Sequence, residues 1–269
     1  MPKNRAADFA AEVFGVMQNE VASYLPERIV NRCFVARERT ENAPTPLIRN
    51  DPLTFWIGVD LAGHNKSELG IAAIVGVGGT LVIVGAASVS VAQCQMTELQ
   101  AVMRRFIYGI RTHPWACEDS IIVPVIECNL NEVMAMTLLT VFEEFPPIYM
   151  PFTADRFGTL ITPGVGVWTT EDTKIASLQV AYQALLDNQL SVAADIVVVG
   201  RDAFDPRGKP ASPTATIELL RKQLTQFTTD ERGKVTGKTS DGDNDDLGMA
   251  FLLAIYWRIG VMSRDTLVR

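Results

Sequence analysis

Histidine and cysteine are scarce: the 269 residues include two His (His64, His113) and four Cys (Cys33, Cys94, Cys117, Cys128). The cysteines are scattered, with no CxxC pair and no histidine at ligand spacing. That excludes a zinc site and a disulfide framework and leads us to expect an intracellular, reducing compartment. Positive charge is also in deficit, with 24 Lys and Arg against 31 Asp and Glu and a net charge of -7. This argues against a protein that coats polyanions through basic clusters. It leaves room for an enzyme whose site is built from carboxylates, which is formally negative until cations bind. Residues 1-20 lack the basic and apolar regions of a secretory signal.

One stretch has no charge at all. From Leu69 to Ala92 it is long enough to cross a bilayer. At its centre, however, GVGGT (76-80) places three glycines among β-branched residues, the pattern of two strands joined by a tight turn. No membrane partner is expected.

Hydrophobic residues make up 48% of the chain, enough for a substantial core. Residues 6-25 have apolar positions at helical spacing, and the polar passage from Pro26 to Pro52 reads as a long surface crossover. From Phe55 the texture changes to three strands, FWIGVDLA, LGIAAIVGV and TLVIVGAASVSV, which form an antiparallel meander. A helix over 94-112 leads to a fourth strand at 120-129. Beyond it are expected a helix at 130-144, a short strand near Ile148-Phe152, a helix at 171-188 and a strand at 190-200. A polar loop (RDAFDPRGKPASP), a helix at 214-228 and a final apolar helix at 247-262 complete the chain. Three strands, a helix and a fourth strand parallel to the first open a ribonuclease H-like (integrase-type) α/β fold. The expectation is a mixed sheet flanked by helices: residues 1-52 form an N-terminal helix and crossover, and 53-269 a single domain.

Three acidic positions fall at the ends of elements that such a sheet brings side by side. Asp60 follows FWIGV where the first strand ends, although a turn-initiating Asp would look the same. Glu127 ends SIIVPVI, a run apolar enough to be buried on both faces, where a lone carboxylate needs a partner or a metal. Asp245 and Asp246, with Asp243 a weaker candidate, precede the most apolar helix of the chain. Capping explains one acid there but not three. Clustered carboxylates raise one another's pKa unless cations bind between them, and oxygen-only ligation suits Mg²⁺ or Mn²⁺. Two such ions would serve phosphodiester hydrolysis.

These motifs resemble the C-terminal nuclease domain of herpesvirus terminase large subunits, through GVDLAGHNKSELGIAAIVG, VPVIECN and DGDNDDLGMAFLLAIYW, across about residues 50-262. The resemblance implies a metal-dependent endodeoxyribonuclease that cuts concatemeric viral double-stranded DNA during genome packaging in the host nucleus. It also implies Asp60, Glu127 and the Asp245-Asp246 pair as metal-binding, catalytic carboxylates, and the small terminase subunit and portal as partners. Terminases also carry an ATPase. No GxxxxGK[ST] is present, so the chain reads as the nuclease half alone. For DNA contacts, Lys66 beyond Asp60 and two glycine-containing, flexible basic loops (Arg207 and Lys209; Arg232, Lys234 and Lys238) suit phosphate binding without base reading. Two other readings compete. One is a noncatalytic interaction module of the packaging motor. The other is an actin-like or sugar-kinase-type ATP-binding domain, suggested by GVDLAG but lacking a second phosphate motif.

Overall fold

The computed structural model describes residues 23-35, 52-61, 68-91, 95-129, 132-149, 153-154, 160-161, 166-230, 234-237 and 244-261. The helix expected over 6-25 lies outside them except for Ser23 to Leu25, which form a bend. The supposed crossover begins instead with helix α1, Glu27–Val35. Leu25, Ile29, Val30, Cys33 and Phe34 all lie buried on one face, where α1 packs on two later helices. The polar residues between them are its outer surface, which is why the passage reads as loop.

The meander forms as expected. Strand β1 (Thr54–Asp60) pairs antiparallel with β2 (Glu68–Val77), and β2 with β3 (Thr80–Ser90). The charge-free run is thus a hairpin. Its two-residue turn, Gly78-Gly79, has positive φ at both positions, which glycine adopts without steric cost. Among the described residues, no helix is long and apolar enough to cross a membrane.

Helix α2 (Met96–Arg111) then leads to β4 (Ile121–Ile126), which lies parallel beside β1. Next come α3 (Glu132–Glu143), a two-residue ladder of β5 (Thr153–Ala154) with β6 (Leu160–Ile161), α4 (Glu171–Leu186) and β7 (Leu190–Val198). Strand β7 lies parallel to β3 and completes a five-stranded sheet in the order β4-β1-β2-β3-β7. Of the short strand expected near Ile148-Phe152, Ile148 makes a single parallel bridge to Ile122, and 150-152 lie outside the described residues. The chain closes with α5 (Pro213–Gln226), a small hairpin of β8 (Thr228–Thr229) and β9 (Val235–Thr236), and α6 (Asp246–Ile255) followed by a π-helical turn, Tyr256–Val261. The two-residue strands are too short to leave an alternation in the sequence.

Both faces of the sheet are covered, which accounts for the near-continuous apolar strands. Phe55, Ile57, Val59, Ile71, Val82 and Val84 pack against α2 and α3. Trp56, Ala72, Ile74 and Ile83 pack on the other side with α1, α4, α5 and α6. Every residue of α6 is buried. This helix lies directly on the strands: a Cβ at Gly58 would sit 1.9 Å from the Ala250 carbonyl oxygen, and one at Gly70 would sit 2.2 Å from that of Asp246.

Candidate functional site

Strand alternation decides where the acids point. In β1, Phe55, Ile57 and Val59 face α2 and α3, so Gly58 and Asp60 face α6. Asp60 is the last residue of the strand and is buried, paired across the ladder with Gly70 rather than starting a turn. Gly70 is the residue whose missing side chain admits the Asp246 backbone. One pair of adjacent strand positions therefore sets Asp60 beside the start of α6.

Glu127 immediately follows β4, in parallel register beside Asp60. Its backbone N–H donates to Val59 O at 2.9 Å, and it forms a parallel bridge to Val167. It is half-buried and not a solvated loop residue. The segment after it is clamped: Asn129 Nδ2 donates to Thr169 O and Oγ1 at 2.7 and 2.6 Å, and Thr169 N–H returns a bond to Asn129 Oδ1 at 2.8 Å.

Asp245 occupies the position before α6 but makes no side-chain cap; its carboxylate accepts from Gly237 N–H at 2.9 Å. Asp246, the first residue of the helix, accepts from Glu68 N–H at 2.8 Å. Both acids are thus tied to neighbouring segments, so capping does not account for the pair. Asp243 lies outside the described residues.

The electrostatics follow from the crowding. Burial holds the Asp60 carboxyl well above the usual carboxylate range. The charge of Glu127 and a hydrogen bond to it add to the rise, as do the charges of Asp246 and Asp245. Among the described residues, no three His, Cys, Asp or Glu side chains stand together as a ready-made ligand set. Asp245 and Asp246 each spend an oxygen on a backbone N–H, while Asp60 bonds Glu127. The donor chemistry nevertheless fits a hard divalent cation: every candidate is a carboxylate, and Asp60 bears repulsion that such a cation relieves. Thiolate chemistry does not compete among the described cysteines with shifted thiols, because burial pushes Cys33 up to about 12 and Cys128 to about 11.

Glu68 went unrecognised in the sequence. Its N–H holds Asp246, and its carboxylate accepts from the Ser88 hydroxyl. The signal available was its place two residues before Gly70, on the same strand face as Asp60's cross-strand partner.

Of the expected DNA-contacting residues, Lys66, Arg232 and Lys238 lie outside the described residues. Arg207 and Lys209 are exposed on the loop after β7. Since β7 runs parallel to β3, this loop leaves the sheet at the same pole as Asp60. It is three strands from β1, a lateral distance of about 14 Å at ~4.8 Å per strand. The loop folds back on itself through local contacts. Asp205 Oδ1 accepts from Arg207 N–H at 2.9 Å, and a Cβ at Gly208 would come within 2.5 Å of the Arg201 backbone. Lys234 is exposed at the start of the β8-β9 hairpin's second arm, three residues before the Gly237 that holds Asp245.

A five-stranded mixed sheet with these parallel and antiparallel neighbours has solved counterparts. The human cytomegalovirus terminase nuclease domain, Mn-soaked and inhibitor-bound, superposes with a TM-score of 0.62 at 16% identity, covering 90% of this chain and 97% of that one. The same domain without those additions gives 0.62 at 15% identity over 89% and 97%, and its Mn-soaked form 0.58 at 15% over 83% and 93%. The fold is that of a terminase nuclease domain. It is ribonuclease H-like, as the order of strands and helices led us to expect. No family sequence model matches the chain, and no curated protein does. In this terminase nuclease fold, the Asp60 pole lies where β1, β3, β4 and β7 all end, the edge at which open α/β sheets build ligand sites.

Proposed function

We propose that the chain is a divalent-cation-dependent endodeoxyribonuclease, with Asp60, Glu127, Asp245 and Asp246 as its cation-holding carboxylates. The observation that carries this reading is the convergence of carboxylates from β1, β4 and α6 at one pole of the sheet, with the Asp60 carboxyl raised by burial and by its acidic neighbours. Two Mn²⁺ or Mg²⁺ ions, when bound, would polarise the phosphodiester and supply hydroxide at neutral pH. Asp60 and Glu127, on adjacent parallel strands, would hold the cation side of the site. Asp246 and Asp245 would close it from the helix, positioned by Glu68 N–H and Gly237 N–H. Arg207, Lys209 and Lys234, with Lys66, Arg232 and Lys238 from segments outside the described residues, would bind backbone phosphates. The substrate and setting we propose are those the sequence motifs imply by resemblance: concatemeric viral double-stranded DNA cut during packaging in the host nucleus, in company with an ATPase half, a small terminase subunit and portal.

The test is cleavage of supercoiled plasmid by the purified chain with Mn²⁺, Mg²⁺, Ca²⁺ or EDTA, alongside Glu127→Ala. Cutting with Mn²⁺ or Mg²⁺ that EDTA and the variant both abolish is the expected result. Equal cutting by the variant would remove Glu127 from the site, and no cutting by the wild type with any metal would favour the noncatalytic interaction module.

A further inference from the structure

Strands β8 and β9 share only two residue pairs, and a hairpin that small is marginal in water on its own. Yet its second arm carries Gly237, whose N–H donates to the Asp245 carboxylate. Something outside the hairpin must therefore fix β9. Along a strand the N–H groups of residues i and i+2 point to the same edge, so Val235 and Gly237 share one. Asp245 takes the Gly237 N–H, and Glu171 Oε1 takes that of Val235. Val235 and Gly237 are both buried, and a Cβ on Gly237 would be 2.7 Å from that of Asp245, which leaves β9 no room to slide toward α6. Glu171 opens α4, where an acid ordinarily complements the helix dipole. That helix end is already capped, however: the Thr170 hydroxyl accepts from Thr173 N–H at 3.2 Å. The Glu171 carboxylate is turned instead to a strand 64 residues further along the chain. Two residues before it, Thr169 is locked to Asn129, itself two residues beyond Glu127.

We propose that Glu171 is a positioning residue for the acidic pole: by fixing β9 against the start of α4, it sets where the Asp245 carboxylate stands relative to Glu127. The proposal rests on the nuclease reading and extends it to a residue that acts through Gly237 and Asp245, not on a cation itself. The connection is continuous and each link is short. Glu127 leads to Asn129, Asn129 holds Thr169, Glu171 holds Val235, and Gly237 holds Asp245. A hydrogen bond to an ionised acceptor is the stronger kind, which suits Glu171 to anchoring a strand that has so little pairing of its own. With that bond lost, β9 and its Gly237 N–H can drift, and Asp245 loses the donor that orients it. Groups that orient a metal ligand in this way typically matter about 10-100-fold in metal affinity or activity.

Two variants of the full chain separate reach from charge. Glu171→Asp keeps the negative charge at the helix start but shortens the side chain by a methylene, whereas Glu171→Gln keeps an Oε1 acceptor at the same reach and removes the charge. The readouts are hydrogen exchange at the Gly237 amide of the metal-free protein, followed by NMR, and the Mn²⁺ concentration that gives half-maximal plasmid cleavage. We expect Glu171→Asp to speed Gly237 exchange and to raise the half-saturating Mn²⁺ by about tenfold or more, with Glu171→Gln near wild type in both. A dipole or bulk-charge role predicts the reverse order of the two variants, and that order would overturn the proposal. So would Gly237 exchange unchanged in Glu171→Asp, or cleavage that falls only with its folded fraction at an unchanged Mn²⁺ requirement. Failure of the nuclease reading has a different signature: the wild type neither cuts plasmid nor binds Mn²⁺, measured by EPR of the free ion, and the role of Glu171 at a metal site is overturned with it.

Discussion

Asp60 concentrates the conflict between the proposed function and stability. Its carboxyl is buried, bonded to Glu127 and repelled by Asp245 and Asp246. Its pKa is therefore raised in the folded state, and the sign of the pH dependence follows. Below the ordinary carboxylate range the group is protonated whether folded or unfolded, and no penalty exists. Between that range and its raised value, the folded chain holds more protons, so stability falls as pH rises; above it, the full penalty remains. Calorimetric melting of the metal-free protein should therefore show the Asp60→Asn variant gaining on wild type as pH rises from about 5. About 1 kcal/mol corresponds to roughly 2-4 °C of Tm for a chain of this size, so the divergence is readable by calorimetry. A Tm difference that does not change with pH would contradict it. The same variant should cut plasmid more than about 100-fold more slowly, the scale of losing a group that holds or orients a metal.

At the scale of elements, α6 decides the site. An apolar helix buried along its whole length cannot vary its distance from the sheet, and two glycines set that distance. Gly58→Ala drives a methyl into the Ala250 carbonyl at mid-helix, so it should cost about 1-3 kcal/mol or more in denaturant unfolding. Gly70→Ala meets Asp246 itself, at the helix start. Its expected signature is a loss of cleavage out of proportion to its loss of stability, because the displaced residue is a candidate ligand and not merely packing. If both variants lose activity only as far as they lose folded protein, the glycines are structural alone. The helix's role was partly legible: its apolar composition announced burial, and its leading acids announced an inward-drawn first turn. The glycines that determine its approach gave no signal, since their constraint comes from a helix nearly 180 residues away in sequence.

For the whole molecule, a net charge of -7 means that the proposed DNA substrate would have to be held locally, not by a general field. Arg207 and Lys209 sit on the loop that leaves the sheet at the pole of Asp60, and Lys234 lies three residues before the Gly237 that holds Asp245. Charge reversal at Lys209 and Lys234 should weaken duplex binding, measured by anisotropy in Ca²⁺, and should flatten the salt dependence by about 0.9 per lost phosphate contact. Unchanged affinity and slope would remove both loops from the interface. The local hydrogen bonds of the Arg201-Pro213 loop would make the proposed contact preformed, with little ordering entropy to overcome on binding.

Local pattern alone was enough to place the strand run from Phe55, the Gly78-Gly79 hairpin, the parallel return of Ile121–Ile126 beside β1 and the positions of Asp60, Glu127, Asp245 and Asp246. Each of these is written in local periodicity, turn chemistry or the cost of an acid beside an apolar run. It could not determine that 27-35 folds as a buried helix, that Glu68 and Gly237 hold the two aspartates, or that Glu171 holds β9. Those facts depend on contacts between segments far apart in the chain, and only the closed tertiary structure, through the close approach of α6 to β1 and β2, brings them about.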